Sequence, residues 1–169
     1  RVIGYRQALT LDKQPKSMVV VGSGAIGSEF AYFYNAIGTK VTLVEFMDNI
    51  VPLEDDEVSK QLARSFKKEG IDVRLSSEVT SVDSSGPTLK VSIKDKKGKE
   101  EQIETEMVLS AVGITPNIEG IGLEEAGVAV EKGRIKVDEF YRTSVPGIYA
   151  IGDIVPGQAL AHVASAEGI

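Results

Sequence analysis

Short apolar runs alternate with amphipathic stretches along the first part of the chain. The run at 18–21 is β-branched and closed by glycine, which predicts a fully buried strand of a parallel sheet. Residues 25–37 carry apolar side chains at helical spacing and stop at Gly38, which predicts a helix ended by glycine. A second buried strand is expected at 41–44. Residues 18–45 therefore form a βαβ unit of about the 30 residues that such a unit usually takes.

Another helix and then several strands are predicted beyond this unit. A helix at about 55–69 places Val58, Leu62 and Phe66 on one face, its acidic start complements the helix dipole, and Gly70 follows it. The shorter runs after it predict strands at 72–76, 78–83 and 88–94, a hairpin tip at 94–99, a return strand at 102–112, and strands near 134–137 and 147–151. We expect an α/β fold with a Rossmann-like, doubly wound parallel sheet and a three-stranded β-meander.

Composition narrows the classes of function. The 169 residues, 42% of them hydrophobic, can bury one core, or one domain and part of a second. The absence of cysteine excludes a disulfide framework and a redox-active dithiol within the chain, and no metal site is predicted. A net charge of −6 argues against a nucleic-acid partner, and no apolar run approaches the roughly 20 residues of a membrane span. The chain starts at Arg1 without an initiator Met and ends at 167–169 in a stretch that looks like the start of a helix, so both ends are expected to be cuts.

A glycine-rich segment joins the first predicted strand to the first predicted helix. It matches the pattern G-x-G-x-x-G and consists of Gly22, Ser23, Gly24, Ala25, Ile26 and Gly27. In dinucleotide sites the first glycine makes a tight turn, the second lets the backbone approach a pyrophosphate, and the third packs the helix on the strand. The N–H groups at the start of the helix face the phosphates. We expect a dinucleotide site here, with a purely structural turn as the alternative.

An acidic residue, Glu45, ends the second predicted strand. A carboxylate roughly 20 residues after the glycines can accept hydrogen bonds from the adenosine ribose hydroxyls. It would repel the additional phosphate of NADP, and Phe46, Met47 and Asp48 supply no cation to receive that phosphate. The residues therefore favour NAD, with a solvated strand-end carboxylate as the alternative.

Two other polar residues have no single interpretation from their positions. Glu29 lies near the start of the predicted helix, where a surface acid complementing the dipole is an equal alternative to a functional role. His162 is the only histidine, and no nucleophile or acid partner is arranged around it, so a loop or packing role is favoured over catalysis.

Taken together, these residues resemble the middle of the dihydrolipoamide dehydrogenases, in the flavoprotein pyridine nucleotide-disulfide oxidoreductase family. The resemblance covers essentially the whole chain. Four segments carry it: Gly22 to Glu29 read as G-x-G-x-x-G-x-E, Val44 to Asp48 with Pro52, Ala111 to Asn117 including Gly113, and Thr143 to Asp153 followed by Leu160, Ala161 and His162. The fourth segment is the most specific, because a strand ending in Gly152 and Asp153 resembles the way this superfamily completes its flavin site.

The resemblance implies roles for individual residues. Asp153 would hydrogen-bond the ribityl or pyrophosphate region of FAD, and the backbone around Leu160, Ala161 and His162 would approach the flavin ring. Ile26 would line the nicotinamide pocket. Glu29 matches an acid near the flavin that pairs with a lysine outside this chain. One departure is Ile114, which stands where the family often has arginine and weakens assignment to a subfamily.

The resemblance also implies a larger enzyme around this chain. The expected division is an NAD-binding domain at 1–117 and the C-terminal half of a split FAD-binding domain at 118–169. In the whole protein, dihydrolipoamide would reduce a disulfide in a Cys-x4-Cys segment, and electrons would pass through FAD to NAD+. Those cysteines and the interface domain with its catalytic His and Glu lie outside the chain, which is expected to be inactive alone.

Partners and alternatives follow from the same resemblance. The whole protein is expected to be a cytoplasmic homodimer, or a mitochondrial one in a eukaryote, and a possible component of a 2-oxo acid dehydrogenase complex. A glutathione reductase-like enzyme or an NADH oxidase remains an alternative, because the cysteines that define the substrate are outside the chain. A bare NAD-binding module is a third interpretation, against which the Gly152 and Asp153 pair argues.

Overall fold

The computed structural model describes every residue from Arg1 to Ile169. These residues form two compact units, Arg1–Gly113 and Ile114–Ile169. The division falls just before the predicted domain boundary after residue 117.

The first unit is built on a five-stranded parallel sheet. Its elements in chain order are β1 (Val2–Ile3), α1 (Tyr5–Ala8), β2 (Ser17–Val21), α2 (Ala25–Ala36), β3 (Lys40–Val44), α3 (Asp56–Lys68), β4 (Asp72–Arg74), β5 (Ser77–Asp83), β6 (Leu89–Asp95), β7 (Glu100–Thr105) and β8 (Met107–Ser110). The sheet has the strand order β1-β8-β2-β3-β4, and all its pairs are parallel. Strands β5, β6 and β7 form a separate antiparallel meander.

Alternating side chains of the parallel strands bury the two faces of the sheet against different layers. On one face, Met18, Val20 and Leu43 pack with Tyr34 of α2 and Phe66 of α3. On the opposite face, the buried residues of the sheet pack with those of the meander: Val19, Val44 and Val108 with Leu89, Val91 and Ile93. The predicted Rossmann-like α/β fold with a three-stranded meander is confirmed. The meander, rather than a second layer of helices, covers the second face.

Both long helices lie within one residue of their predicted bounds. The Asp55 side chain caps α3 by accepting a hydrogen bond from the Glu57 N–H at 2.8 Å. Gly38 and Gly70 follow the two helices with φ of +99° and +89°, the left-handed conformation that favours glycine. The buried face of α2 consists of Tyr34 and small residues, whereas the apolar Phe33 and Ile37, which the helical spacing also included, are exposed.

The predicted single strand at 102–112 is wrong, because the chain changes sheets at Glu106. Residues of β7 pair antiparallel with β6, whereas those of β8 run parallel to β2. At the break, the Glu106 N–H donates to Ser17 Oγ at 3.0 Å, and the Glu106 carboxylate accepts from the Lys16 N–H at 2.7 Å. The predicted strand at 72–76 is likewise shorter, since the pairing of β4 ends at Arg74.

The second unit has little regular structure around a small core. It contains β9 (Val130–Glu131), β10 (Arg134–Ile135), a 3-10 turn (Gly152–Ile154) and α4 (Ala161–Glu167). The core residues are Val128, Ile135, Ala150 and Val155. Strands β9 and β10 form an antiparallel pair, so the strand predicted near 134–137 is present but shorter.

The strand predicted near 147–151 is wrong. Tyr149 forms one isolated antiparallel bridge with Arg142, and the Ala150 N–H donates to the Tyr141 carbonyl at 3.0 Å. The opposing segment around Tyr141 and Arg142 offers too few backbone hydrogen-bond partners to form a strand pair, although residues 147–151 have strand propensity. None of the helices in either unit is long and apolar enough to cross a membrane.

Candidate functional site

The glycine-rich segment lies at the carboxyl edge of the parallel sheet, where the strand order reverses. The chain proceeds from β2 to β3 and β4 on one side, whereas β8 lies on the other side of β2. Open α/β sheets bind ligands in the crevice at such a reversal. Gly22 follows β2, Glu45 follows β3, and Gly113 lies three residues beyond the end of β8. These three predicted site residues therefore share one edge of the sheet.

The three glycines of the segment occupy different environments. Gly22 has φ of +94°, and a Cβ there would lie 2.7 Å from the Ala111 carbonyl oxygen. A Cβ on Gly27 would lie 1.9 Å from the Gly22 carbonyl oxygen, so only glycine lets α2 begin so close to the turn. A Cβ on Gly24 would meet nothing within 4 Å. The loop is therefore closed by packing at Gly22 and Gly27 and open at Gly24.

The start of α2 is chemically suited to phosphate. Gly24 is the N-cap residue, and no side chain caps the helix there. The first N–H groups of a helix lack partners within the helix, and the helix dipole adds partial positive charge. Ala25 is exposed and Ile26 is partly buried in this first turn. The arrangement can receive the pyrophosphate of a dinucleotide without displacing any side chain of the chain.

Glu45 is buried and hydrogen-bonded to the glycine-rich segment. The N–H and the Oγ of Ser23 each donate to Glu45 Oε2 at 2.7 Å, and the Met47 N–H donates to Oε1 at 2.8 Å. Glu45 is 7% exposed. A carboxylate has about four acceptor positions, so three internal bonds leave one for a ligand hydroxyl. The carboxylate is thus held rigidly, in contrast to the solvated strand-end acid considered as the alternative.

Ser23 is a functional candidate that the sequence pattern did not indicate. Its side chain is fully buried, and its carbonyl accepts hydrogen bonds from the Val51 N–H at 3.0 Å and from Ser28 Oγ at 2.8 Å. Ser23 therefore ties the glycine-rich segment to the loop after Glu45. The G-x-G-x-x-G pattern does not specify which residues occupy its x positions. The only signal for this role was the hydroxyl of Ser23, which can donate a hydrogen bond to an expected carboxylate.

The other predicted residues of the first unit are accessible. Glu29 is exposed on α2, and its carboxylate accepts no hydrogen bond from the chain. Gly113 is exposed with φ of +92° and is the last residue of the first unit.

In the second unit, Gly152 and Asp153 form the start of the 3-10 turn. Gly152 is buried with φ of +75°, whereas Asp153 is exposed and its carboxylate has no hydrogen-bond partner within the chain. Leu160 is the N-cap of α4, Ala161 and His162 begin that helix, and all three are exposed. His162 has no acid or nucleophile hydrogen-bonded to it. A free carboxylate on a fixed turn can accept hydrogen bonds from ligand hydroxyls.

Comparison with known proteins gives the family. Residues 1–168 match the model of the pyridine nucleotide-disulphide oxidoreductase family. The chain belongs to this family. It is 46% identical to a dihydrolipoyl dehydrogenase of Chlorobaculum tepidum over 99% of this chain and 36% of the relative. It is 42% identical to the mitochondrial dihydrolipoyl dehydrogenase of Pisum sativum over 100% of this chain and 34% of the relative.

Solved structures of flavoprotein disulfide reductases also match nearly the whole chain. The chain superposes on LpdA from Mycobacterium tuberculosis with a TM-score of 0.86 and 34% identity, covering 98% of this chain and 36% of LpdA. It superposes on the HOCl-induced flavoprotein disulfide reductase RclA from Escherichia coli with a TM-score of 0.87 and 26% identity, covering 98% of this chain and 37% of RclA. The chain therefore spans about a third of the length of these relatives.

Proposed function

We propose that residues 1–117 bind NAD(H) at the carboxyl edge of the parallel sheet. The observation that carries the proposal is the glycine-rich segment at the reversal of strand order, closed at Gly22 and Gly27 but open at Gly24. Gly24 leads directly into α2, whose first N–H groups have no side-chain cap. A dinucleotide needs this combination of close backbone approach and free N–H donors at its pyrophosphate.

Gly24→Ala tests this proposal without disturbing the fold. Gly24 has φ of −62°, which any residue adopts, and an added Cβ contacts no atom of the chain. We expect unchanged thermal stability and an NAD affinity at least about tenfold lower, because the methyl group occupies the approach to the pyrophosphate. Gly86→Ala is a matched control, since its Cβ makes an ordinary 3.6 Å contact in a turn away from the site.

Two measurements separate the outcomes for Gly24. Isothermal titration calorimetry with NADH gives the affinity, and thermal unfolding followed by circular dichroism gives the stability. An unchanged NADH affinity in the Gly24→Ala variant would mean that the segment is a structural turn. Loss of both affinity and stability would contradict the open environment of Gly24.

The preferred cofactor in this proposal is NAD rather than NADP. Glu45 is a buried carboxylate with one acceptor position free of internal bonds, which suits a ribose hydroxyl and opposes a second negative charge.

For residues 118–169 we propose a half-site for FAD centred on Asp153. The exposed, unpartnered carboxylate of Asp153 and the exposed backbone of Leu160, Ala161 and His162 support it. When bound, FAD and NAD+ would supply the redox chemistry, and this chain would bind and orient them. In the whole protein, Asp153→Ala is expected to reduce FAD retention.

The whole protein that we propose is a dihydrolipoamide dehydrogenase. The names of the relatives support this choice over a glutathione reductase-like enzyme or an NADH oxidase. A Cys-x4-Cys segment in the residues that precede Arg1 in the whole protein would support a disulfide reductase, and its absence would contradict one. Assembly as a homodimer, membership of a 2-oxo acid dehydrogenase complex, and a cytoplasmic or mitochondrial matrix location belong to the same proposal.

A further inference from the structure

Two charged side chains hold the backbone of the turn that carries Asp153. Glu167 Oε2 accepts a hydrogen bond from the Gly152 N–H at 2.7 Å. Arg134 Nη1 donates to the Asp153 carbonyl oxygen at 2.7 Å and to the Val155 carbonyl oxygen at 2.9 Å. The backbone on both sides of the Asp153 side chain is thus fixed by an anion and a cation, while the Asp153 carboxylate itself stays exposed and unpartnered.

Arg134 is anchored by the small core of the second unit, whereas Glu167 lies on a helix next to the turn. Arg134 precedes Ile135 on β10, and Ile135 and Val155 are both buried in that core. Glu167 ends α4, which passes so close to the turn that a Cβ on Gly152 would lie 3.1 Å from the Ala164 Cβ. Each charge is therefore carried by a regular element, Arg134 by β10 and Glu167 by α4.

Tyr141 adds a further contact on the Glu167 side. Burial, and then the charge of the Glu167 carboxylate, raise the pKa of the Tyr141 phenol. The Tyr141 carbonyl also accepts the Ala150 N–H at 3.0 Å, two residues before Gly152. Glu167 thus joins α4, the turn and the segment around Tyr141.

We infer that Arg134 and Glu167 are positioning residues that hold the Asp153 turn in the geometry that receives the hydroxyl chain of the flavin. A turn already fixed in its bound conformation loses less conformational freedom on binding, which strengthens affinity without any direct contact to the ligand. The inference rests on the proposed flavin half-site at Asp153 and assigns to two other residues the task of orienting it.

The first test measures FAD release from the whole protein. Glu167→Ala and Arg134→Ala are each expected to raise the FAD dissociation constant about tenfold, because the freed turn must then be ordered when FAD binds. Glu167→Gln is expected to stay within about threefold of the unsubstituted protein, because its amide oxygen can still accept the Gly152 N–H. Glu139→Ala and Arg142→Ala are matched controls, because both side chains are exposed and neither hydrogen-bonds the turn.

A double-mutant cycle shows whether Glu167 acts through Asp153. If it does, Glu167→Ala should add little to the effect of Asp153→Ala, because the carboxylate that it orients is already gone. Fully additive effects would assign Glu167 a general structural role and overturn the inference. No change in FAD affinity with Asp153→Ala would instead overturn the proposed flavin half-site. A loss of FAD affinity with Asp153→Ala, but not with Glu167→Ala or Arg134→Ala, would overturn only the positioning role of Glu167 and Arg134.

Hydrogen exchange in the 169-residue chain tests the contact itself, without FAD. The Gly152 amide is expected to exchange slowly, to exchange about tenfold faster in Glu167→Ala, and to stay protected in Glu167→Gln. NMR on glycine-labelled protein resolves this amide, with the Gly147 amide as an internal reference outside the turn. Equal protection in all three proteins would contradict the anchoring by Glu167.

Discussion

At the scale of single residues, the interaction between Ser23 and Glu45 is the central feature of the first unit. It joins the glycine-rich segment to the end of β3 through two hydrogen bonds to one carboxylate oxygen. The expected glycine turn and the strand-end acid could both be derived from the sequence, because each has a fixed position relative to a strand. The interaction between them could not, since the pattern places no requirement on residue 23.

We expect the isolated chain to prefer NADH over NADPH, and Glu45→Ala to lower NADH affinity about ten- to hundredfold, because a charge-assisted hydrogen bond contributes about 1.5–3 kcal/mol. The same substitution leaves the donors of Ser23 and Met47 without an acceptor, so stability falls as well. Calorimetry with both cofactors at a temperature where the variant stays folded separates the two effects.

Ser23→Ala is the matched control for Glu45→Ala. It removes one hydrogen bond to the carboxylate but keeps the negative charge of Glu45. The free energy of unfolding should therefore fall by about 1 kcal/mol, whereas the preference for NADH over NADPH should remain. Equal affinity of the unsubstituted chain for NADH and NADPH would refute the assignment of NAD.

At the scale of elements, the two long helices were predictable because apolar positions at helical spacing and a following glycine agreed, and α3 also has an acidic first turn. The change of sheet at Glu106 was not, because this single residue separates two strands that follow each other directly but pair in different directions. The prediction of a strand near 147–151 is wrong for a related reason. Strand propensity describes a residue, whereas a strand needs a neighbour with which to pair.

The meander is predicted to stabilise the first unit through one face of β6. Leu89 is fully buried against the sheet, whereas the neighbouring Lys90 points to the opposite, exposed side. Leu89→Ala should lower the free energy of unfolding by about 2–5 kcal/mol, the usual effect of truncating a buried leucine. Lys90→Ala should change it by less than about 0.5 kcal/mol. Urea denaturation followed by circular dichroism measures both, and similar effects of the two substitutions would contradict the packing of the meander on the sheet.

At the scale of the whole molecule, the chain belongs to the pyridine nucleotide-disulphide oxidoreductase family but contains no cysteine. The dihydrolipoamide oxidation proposed for the whole protein needs an enzyme disulfide that accepts two electrons from the dithiol, and a chain without cysteine cannot form that disulfide. The second unit also exposes large apolar side chains, including Ile121, Phe140, Tyr149 and Leu160. Where such groups form a contiguous patch, they are typical of surfaces that contact other protein.

The 169-residue chain, purified alone, is therefore expected to show no dihydrolipoamide:NAD+ activity and to carry no stoichiometric FAD. The proposed FAD half-site contributes only the Asp153 turn and the backbone around Leu160 to His162, so most contacts that FAD needs would come from elsewhere. The exposed apolar side chains of the second unit favour self-association at high concentration. An assay with lipoamide and NADH, an absorbance scan for flavin, and light scattering over a concentration series measure the three properties. An intact dihydrolipoyl dehydrogenase assayed in parallel is the positive control. Turnover near that of the control, or one FAD per chain, would show that these residues are sufficient for activity or for FAD binding. Either result would contradict the proposal that the dithiol chemistry and most FAD contacts need residues outside this chain.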